Sequence, residues 1–208
     1  MTTVVGPLVL ASASPRRREL ISRLGLPVDV MAADVDESPL PGEPGPLHAV
    51  RVAAAKAAAV AAIRPGAPVL GADTTVVLGE RILGKPADRS QAAEYLRSLR
   101  ARTHVVVTAL SLRYDGREAR HLEQSSVTFA AFSDEILAWY VATGEGDDKA
   151  GAYAVQGGGA ILVERLEGNV QAVVGLPLAP LPALLDQVGL RLRRNVAGGL
   201  TLARVRGG

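Results

Sequence analysis

The dipeptide Asp115-Gly116 stands between two long runs of strand-forming residues, His104 to Tyr114 and Arg117 to Phe132. Asp-Gly readily supplies the left-handed backbone positions of a tight hairpin, so this spacing predicts a long antiparallel ribbon. A ribbon needs other elements against it to be stable, and the flanking sequence supplies both kinds. The apolar run Leu8 to Ala11 leads into Ser14-Pro15, where Ser14 can cap a helix and Pro15 suits its first position. That helix is expected to end near Gly25. Leu47 to Ile63 repeats apolar residues at helical spacing (Leu47, Val50, Ala54, Ala57, Ala61), which places Arg51 and Lys56 away from the stripe. Pro68 to Leu78 reads as a strand, and Gly79-Glu80 turns it into a short return strand, Arg81 to Leu83. Asp88 with Gln91 forms a capping box for a helix with Ala92, Ala93, Leu96 and Leu99 on one face. Ser133 caps a further helix that Gly144 stops. Ala152 to Gln156 and Ala160 to Arg165 read as strands, and Pro177 to Val188 as a last helix. Crossover and hairpin connections together predict an α/β fold with a mixed sheet.

A chain of 208 residues, 48% hydrophobic, suits one compact domain. Without cysteine it forms no disulfide and no thiolate metal site, which fits a reducing compartment and a cytoplasmic location. The opening MTTVVGPLVL lacks the basic region of a secretory signal, and Arg51 and Lys56 interrupt the longest apolar helix pattern. Neither export nor a membrane span is expected. The formal charge of +2 is unevenly placed: residues 189–208 hold Arg191, Arg193, Arg194, Arg204 and Arg206 and no acid. The other 188 residues carry 18 basic and 21 acidic groups, and the whole chain has seven aromatic residues. A slightly acidic body with few stacking platforms argues against a nucleic-acid partner.

Three distant segments carry chemistry: Leu10 to Arg18 (LASASPRRR), Gly71 to Pro86 (GADTTVVLGERILGKP) and Asp148 to Gly159 (DKAGAYAVQGGG). In the first, a helix N-terminus follows a strand, and its free N–H groups favour an anion. Arg16 and Arg17 add guanidinium forks that match phosphate oxygens, and a capped surface helix with solvated arginines is the bland alternative. In the second, Asp73 lies inside a strand, where an unpaired buried carboxylate is costly and should meet a cation, a metal or a reacting water. Gly79 to Pro86 approaches a phosphate-binding P-loop but has proline where serine or threonine must reach magnesium, so that reading fails. Lys85 remains a candidate cation. Glu37, with Asp34 and Asp36 in the acidic, proline-rich loop Asp34 to Pro46, could supply oxygen ligands to magnesium. Gln156 offers a donor and an acceptor, the kind of group that reads a base edge, and Gly157-Gly158-Gly159 permits either close backbone approach or a flexible turn. His48, His104 and His121 show no metal-ligand spacing. Against 20 arginines there are three lysines, Lys56, Lys85 and Lys149. A lysine kept in so arginine-rich a chain marks a place needing a compact, rotatable ammonium, and two of the three fall in these segments.

The ordered motifs S-x-S-P-R-R (Ser12 to Arg17), G-A-D-T (Gly71 to Thr74), G-K-P (Gly84 to Pro86), D-K-A-G (Asp148 to Gly151) and V-V-G-L-P (Val173 to Pro177) give the chain a specific resemblance. From about Leu8 to about Asp186 it resembles the Maf family of nucleoside triphosphate pyrophosphatases. The resemblance implies an elongated mixed sheet flanked by helices, with a cleft between two lobes, and enzymes that are often homodimers. It implies hydrolysis of a nucleoside triphosphate, between the α and β phosphates, to a monophosphate and pyrophosphate. It also implies a divalent cation, magnesium or manganese, for which Glu37 and Asp73 are the candidate ligands, and the sequence leaves open which carboxylate is base and which is metal ligand. Asp73 and Lys85 would be catalytic, with Asp73 the proton acceptor. Ser14, Arg16, Arg17, Lys56, Thr74 and Gln156 would bind substrate. Arg16, Thr74 and Gln156 look like the subgroup acting on dTTP and UTP, and by extension on modified pyrimidine nucleotides; the subgroup acting on 7-methylguanosine triphosphate has Trp, Gln and Glu there. Residues 1–188 are thus expected to form the catalytic domain, and 189–208 a basic tail outside the resemblance. A nucleic-acid-associated regulator of cell division and a non-catalytic nucleotide sensor are the competing classes. The first predicts salt-dependent DNA binding and the second tolerance of Asp73 loss.

Overall fold

The computed structural model describes residues 3–196 and 198–205, so Arg206 lies outside the described residues. The expected hairpin is the spine of the molecule. Strands β5 (Thr103–Tyr114) and β6 (Arg117–Phe129) pair antiparallel over their whole length, with Asp115 and Gly116 both at positive φ in the turn. Upstream lie β1 (Leu8–Ala11), α1 (Pro15–Ser22), β2 (Val28–Val30), α2 (Gly45–Ile63), β3 (Val69–Leu78), β4 (Arg81–Leu83) and α3 (Arg89–Leu99). Downstream follow α4 (Asp134–Thr143), two 3-10 turns (Ala150–Ala152 and Gly157–Leu162), β7 (Val163–Glu167), α5 (Val170–Val174) and α6 (Leu181–Gln187). The seven-stranded sheet runs β2-β1-β3-β5-β6-β7, with β4 also paired to β3; β1 is parallel to β2 and β3, and the other pairings are antiparallel. The mixed α/β sheet flanked by helices is as expected.

The capping expectations at Ser14, Asp88 and Ser133 hold, with side chains accepting from Arg17, Gln91 and Ile136 N–H. Four readings change. The segment 152–156 is a 3-10 turn and loop, and the strand expected from Ala160 begins at Val163. Glycine density there favours tight turns, and the apolar residues pack without sheet pairing. The last helix begins at Leu181, because Pro177 and Pro180 shorten it. The helix α2 buries a different face from the expected stripe. Its buried residues are Gly45, His48, Ala49, Val52, Ala53, Lys56, Ala57 and Val60, whereas Leu47 is exposed. Alanines on every side of this helix leave little contrast for periodicity to detect, and Lys56 turns inward on the sheet. By length and a mean hydropathy of 1.3, α2 could cross a membrane; here that buried face packs on β3 and β5.

Odd-numbered residues of β3 face α2, and even-numbered ones face the opposite layer, as strand alternation requires. On that second face Leu70 and Ala72, with Leu110 and Leu112 of β5, belong to one hydrophobic cluster, and Val76 and Val106 to another. Between them the register pairs Thr74 with Thr108, hydroxyls 2.9 Å apart, so a polar seam separates two cores. The segment expected as a basic tail carries β8 (Leu190–Arg194) and β9 (Leu200–Arg204), a hairpin whose Leu190 and Leu202 are buried in the first core.

Candidate active site

The site begins with a gap in the sheet. On one edge of β3, residues 69–71 pair with β1 and residues 76–78 with β4, which leaves Ala72, Asp73, Thr74 and Thr75 without a strand neighbour on that side. The chain leaves β1 at this gap and enters α1, whose N-terminus therefore opens on it, the usual place for a ligand crevice in an α/β sheet. A cavity of about 750 Å³ lies here, within the range of small-molecule sites. Ser14, Arg16, Arg17, Glu37, Lys56, Asp73, Thr74, Lys85 and Gln156, which the sequence singled out, all line it. So does Lys149, and with it all three lysines of the chain converge on one space.

Gly71 sets the spacing. A Cβ there would fall 2.3 Å from the Ala53 carbonyl oxygen and 2.7 Å from the Ala57 nitrogen, so the backbone of α2 rests directly on β3. That approach delivers the buried Lys56 Nζ to Asp73 Oδ1 at 2.9 Å and to Glu37 Oε2 at 3.0 Å. Thr75 donates to Asp73 Oδ2 at 3.1 Å. Burial pushes the Asp73 carboxyl up, but Lys56 and Arg17 with the hydrogen bonds from Lys56 and Thr75 outweigh it, holding Asp73 below the ordinary aspartate value. It is a carboxylate at neutral pH. The loop bearing Glu37 is pinned from α2: Arg51 donates to the Ser38 carbonyl and to both oxygens of Glu43, which also accepts from Leu40 N–H. Arg51 foremost lowers the Glu43 carboxyl to about 2.

Arg16 and Arg17 differ sharply. Arg17 is buried and donates to the Gly175 carbonyl (2.8 Å), Ser12 Oγ (3.2 Å), the Ala72 carbonyl (3.0 Å) and Thr74 Oγ1 (2.9 Å), four of its five N–H groups. It ties the α1 entrance to the open edge of β3. Thr74 in turn meets Thr108, which donates to the Ala172 carbonyl at 2.7 Å, so the hydroxyl hydrogens run in one direction from Arg17 through both threonines. Arg16 is half-buried, and its side chain makes no protein hydrogen bond among the described residues; burial lowers its pKa, while Tyr140 and Glu145 raise it. Lys85 is mostly exposed, with Nζ 3.9 Å from Glu37 Oε2, and Lys149 pairs with Asp148. Desolvation foremost, then the charge of Arg16, pushes Lys149 down, while Glu145 raises it. Gln156 is exposed at the rim, its amide without a protein partner among the described residues. Two of the three glycines after it have their amides taken: Glu145 accepts from Gly158 and Gly159 N–H. His48 meets Glu43, His104 meets Tyr153 and His121 meets Glu123. Lysine scarcity was the signal that could have placed Lys149 beside Lys56 and Lys85 from the start. Glu145 carried no sequence signal at all.

Among the described residues no three histidine or acidic side chains gather in a metal cage. Glu37 and Asp73 nevertheless bring two carboxylates onto one cation, Lys56. Two hard oxygen donors at an open, cation-lined cavity fit a magnesium-like ion, which characteristically takes one or two carboxylates and fills its shell with water and phosphate.

The fold and cavity define an α/β protein with a cation-lined cleft at the edge of its sheet. The chain belongs to the Maf-like protein family, whose model matches residues 7–188. A dTTP/UTP pyrophosphatase of Anaeromyxobacter dehalogenans is 50% identical over 189 residues, 89% of this chain and 95% of that protein. The dTTP/UTP pyrophosphatases of Myxococcus xanthus (50% identity; 89% of this chain and 94% of that one) and Cereibacter sphaeroides (46%; 91% and 99%) are similar throughout. A solved HAM1 protein from Coxiella burnetii overlaps partially, with a TM-score of 0.43 at 16% identity over 62% of this chain and 75% of that one.

Proposed function

We propose that this chain hydrolyses nucleoside triphosphates, dTTP and UTP before others, between the α and β phosphates, releasing a monophosphate and pyrophosphate. The observation that carries the reading is the convergence of Arg16, Lys56, Lys85 and Lys149 on the cavity that holds an ionised, buried Asp73. Those cations suit a polyphosphate, and Arg16, Lys85 and Lys149 can neutralise charge as it builds on the leaving pyrophosphate. At the α1 N-terminus Ser14 N–H is taken by Ser12 Oγ, Pro15 has none and Arg17 N–H goes to Ser14 Oγ, which leaves Arg16 N–H to meet a phosphate oxygen. Arg17 acts chiefly by holding Thr74, Ala72 and Gly175 in register around the reacting group.

Asp73 orients a water towards the α phosphorus and takes its proton at a carboxylate oxygen. The new O–P bond forms as the bond to the bridging oxygen breaks, and pyrophosphate departs with that oxygen. Glu37 and Asp73 would hold a divalent cation, magnesium or manganese, which supplies positive charge at the phosphates when bound. Gln156 reads the base: a neutral amide matches the alternating acceptor and donor edge of uracil or thymine, whereas a carboxylate suits the adjacent donors of guanine. Residues 1–188 carry the catalytic groups, with the β8–β9 hairpin completing their first core, the enzyme works in the cytoplasm, and the homodimer of the family belongs to the same proposal.

The test is a panel of triphosphates incubated with pure protein and magnesium, with pyrophosphate and orthophosphate measured separately. Pyrophosphate with dTTP or UTP ahead of dATP, GTP and 7-methylguanosine triphosphate is expected. Orthophosphate as the sole product would overturn the reaction, and 7-methylguanosine triphosphate ahead of the pyrimidines would overturn the base assignment.

A further inference from the structure

Gln156 sits in a stretch outside the sheet that is held from one side by the end of α4. Upstream of it, Ala154 N–H donates to Tyr140 Oη at 3.0 Å. Downstream, Glu145 takes Gly158 N–H on Oε1 at 3.2 Å and Gly159 N–H on Oε2 at 2.8 Å. The fit is close: a Cβ on Gly157 would stand 2.0 Å from Glu145 Oε1, and one on Gly159 would stand 2.0 Å from the Ala154 carbonyl oxygen. Gly144 closes α4 with φ of 71°, turning the chain so that the next residue, Glu145, reaches these amides.

This is an unfavourable end of a helix for a carboxylate, because the dipole there is negative. Two N–H groups on one carboxylate, charge-assisted, offset that cost, and Arg16 and Lys149 both feel the Glu145 charge. Gly157 is exposed and Gly158 half-exposed, so water could satisfy much of this turn in place of Glu145. The carboxylate does what water would not: it gives the turn one position. Flanked by anchors on both sides, Gln156 is left with its amide free at the cavity.

We propose that Glu145 is a positioning residue for base selection, its carboxylate clamping the Gly157–Gly159 backbone so that the Gln156 amide meets the nucleobase in a fixed pose. The proposal rests on the reading of the cavity as a nucleoside triphosphate site. A side chain that only stabilised the fold would affect all ligands alike. One that positions Gln156 affects the base end and spares the phosphate end.

The experiment uses the full chain as wild type, Glu145→Ala, Glu145→Gln, Gln156→Ala and the Glu145→Ala/Gln156→Ala double variant. Two quantities are read: kcat/KM for dTTP against dCTP, and calorimetric affinities for dTMP and for inorganic pyrophosphate with magnesium. Glu145→Ala should lower the dTTP preference about tenfold, mainly through KM, and weaken dTMP by a similar factor while pyrophosphate binding is not weakened. Glu145→Gln, which keeps one acceptor oxygen, should fall between. In the Gln156→Ala background the loss of Glu145 should cost no further selectivity, since both changes remove one function. A Glu145→Ala protein of unaltered melting temperature with wild-type selectivity and dTMP affinity would overturn the proposal, as would equal weakening of dTMP and pyrophosphate or additive losses in the double variant. If Glu145→Ala does not fold, Glu145→Gln decides by the same criteria. Wild type that releases no pyrophosphate would sink the pyrophosphatase reading alone, because the dTMP and pyrophosphate affinities still decide what Glu145 does.

Discussion

One methyl group at Gly71 should disable the site from behind. The Cβ of Gly71→Ala would sit 2.3 Å from the Ala53 carbonyl oxygen, 2.7 Å from Ala57 N and 3.0 Å from Ala57 Cβ. Carbon and oxygen tolerate about 3.3 Å at closest, so α2 must move away from β3 by about 1 Å. Backbone atoms cannot rotate out of the way, and overpacking of this kind costs about 1–3 kcal/mol. At 2–4 °C per kcal/mol for a chain of this size, about 2 kcal/mol lowers the melting temperature by about 4–8 °C. The larger effect falls on turnover. Lys56 rides on the displaced helix, so its 2.9 Å contact with Asp73 and 3.0 Å contact with Glu37 both stretch, and misplacement by about 1 Å can cost on the order of a hundredfold in rate. Thermal denaturation and steady-state release of pyrophosphate read the two effects separately. Gly6→Ala is the control, since a Cβ there meets nothing within 4 Å. Wild-type melting and turnover in Gly71→Ala would refute the claim that α2 must rest on β3 for the site to work.

Asp73→Asn should fold and lose about a hundredfold or more in turnover, and near-normal rates in the folded variant would remove Asp73 from the chemistry. Lys85→Ala, at an exposed position, should slow triphosphate hydrolysis at unchanged melting temperature, whereas Arg17→Ala should lower both, because its guanidinium holds four groups of the fold. Arg194→Ala on β8 should change neither, and equal rate losses at Arg194 and Lys85 would break the single-site argument. Burial depresses the His104 imidazole to about 4, so between pH 6.5 and about 4 the unfolded chain binds the proton that the folded one refuses. Stability should therefore fall by roughly 3 kcal/mol as pH drops through that window and level off below it on this account. An imidazole resonance of folded protein titrating near 6.5 at His104 would contradict it.

Much of this was legible because local chemistry and the fold agree. Asp115-Gly116 could only turn tightly, Ser14-Pro15 and Ser133 could only begin helices economically, and Asp73 in a strand demanded a partner. What was illegible depended on contacts across the chain. The inward face of α2 was hidden because alanines surround it, and Gly71 on the next strand sets how closely that face approaches. The triple glycine left close backbone approach and a flexible turn both open, and two of its amides belong to Glu145, a residue that looks like any surface acid at the end of a helix. The open edge of β3 that creates the cavity is a matter of where β1 stops and β4 starts, and no single residue announces it.

On the proposed reading, the charge on the cavity wall bears on stoichiometry. Arg16, Arg17, Lys56, Lys85 and Lys149 face it together with Glu37, Asp73 and Asp148, an excess of two positive charges. A triphosphate brings roughly four negative ones, so neutrality is short by about two, the charge carried by a single divalent ion. On the proposed reading the nucleotide is therefore matched as a one-to-one metal complex, and bare nucleotide in excess over the ion competes for the same walls without being balanced by them. On that reading hydrolysis should respond to the ratio of free magnesium to nucleotide, and not to nucleotide concentration alone.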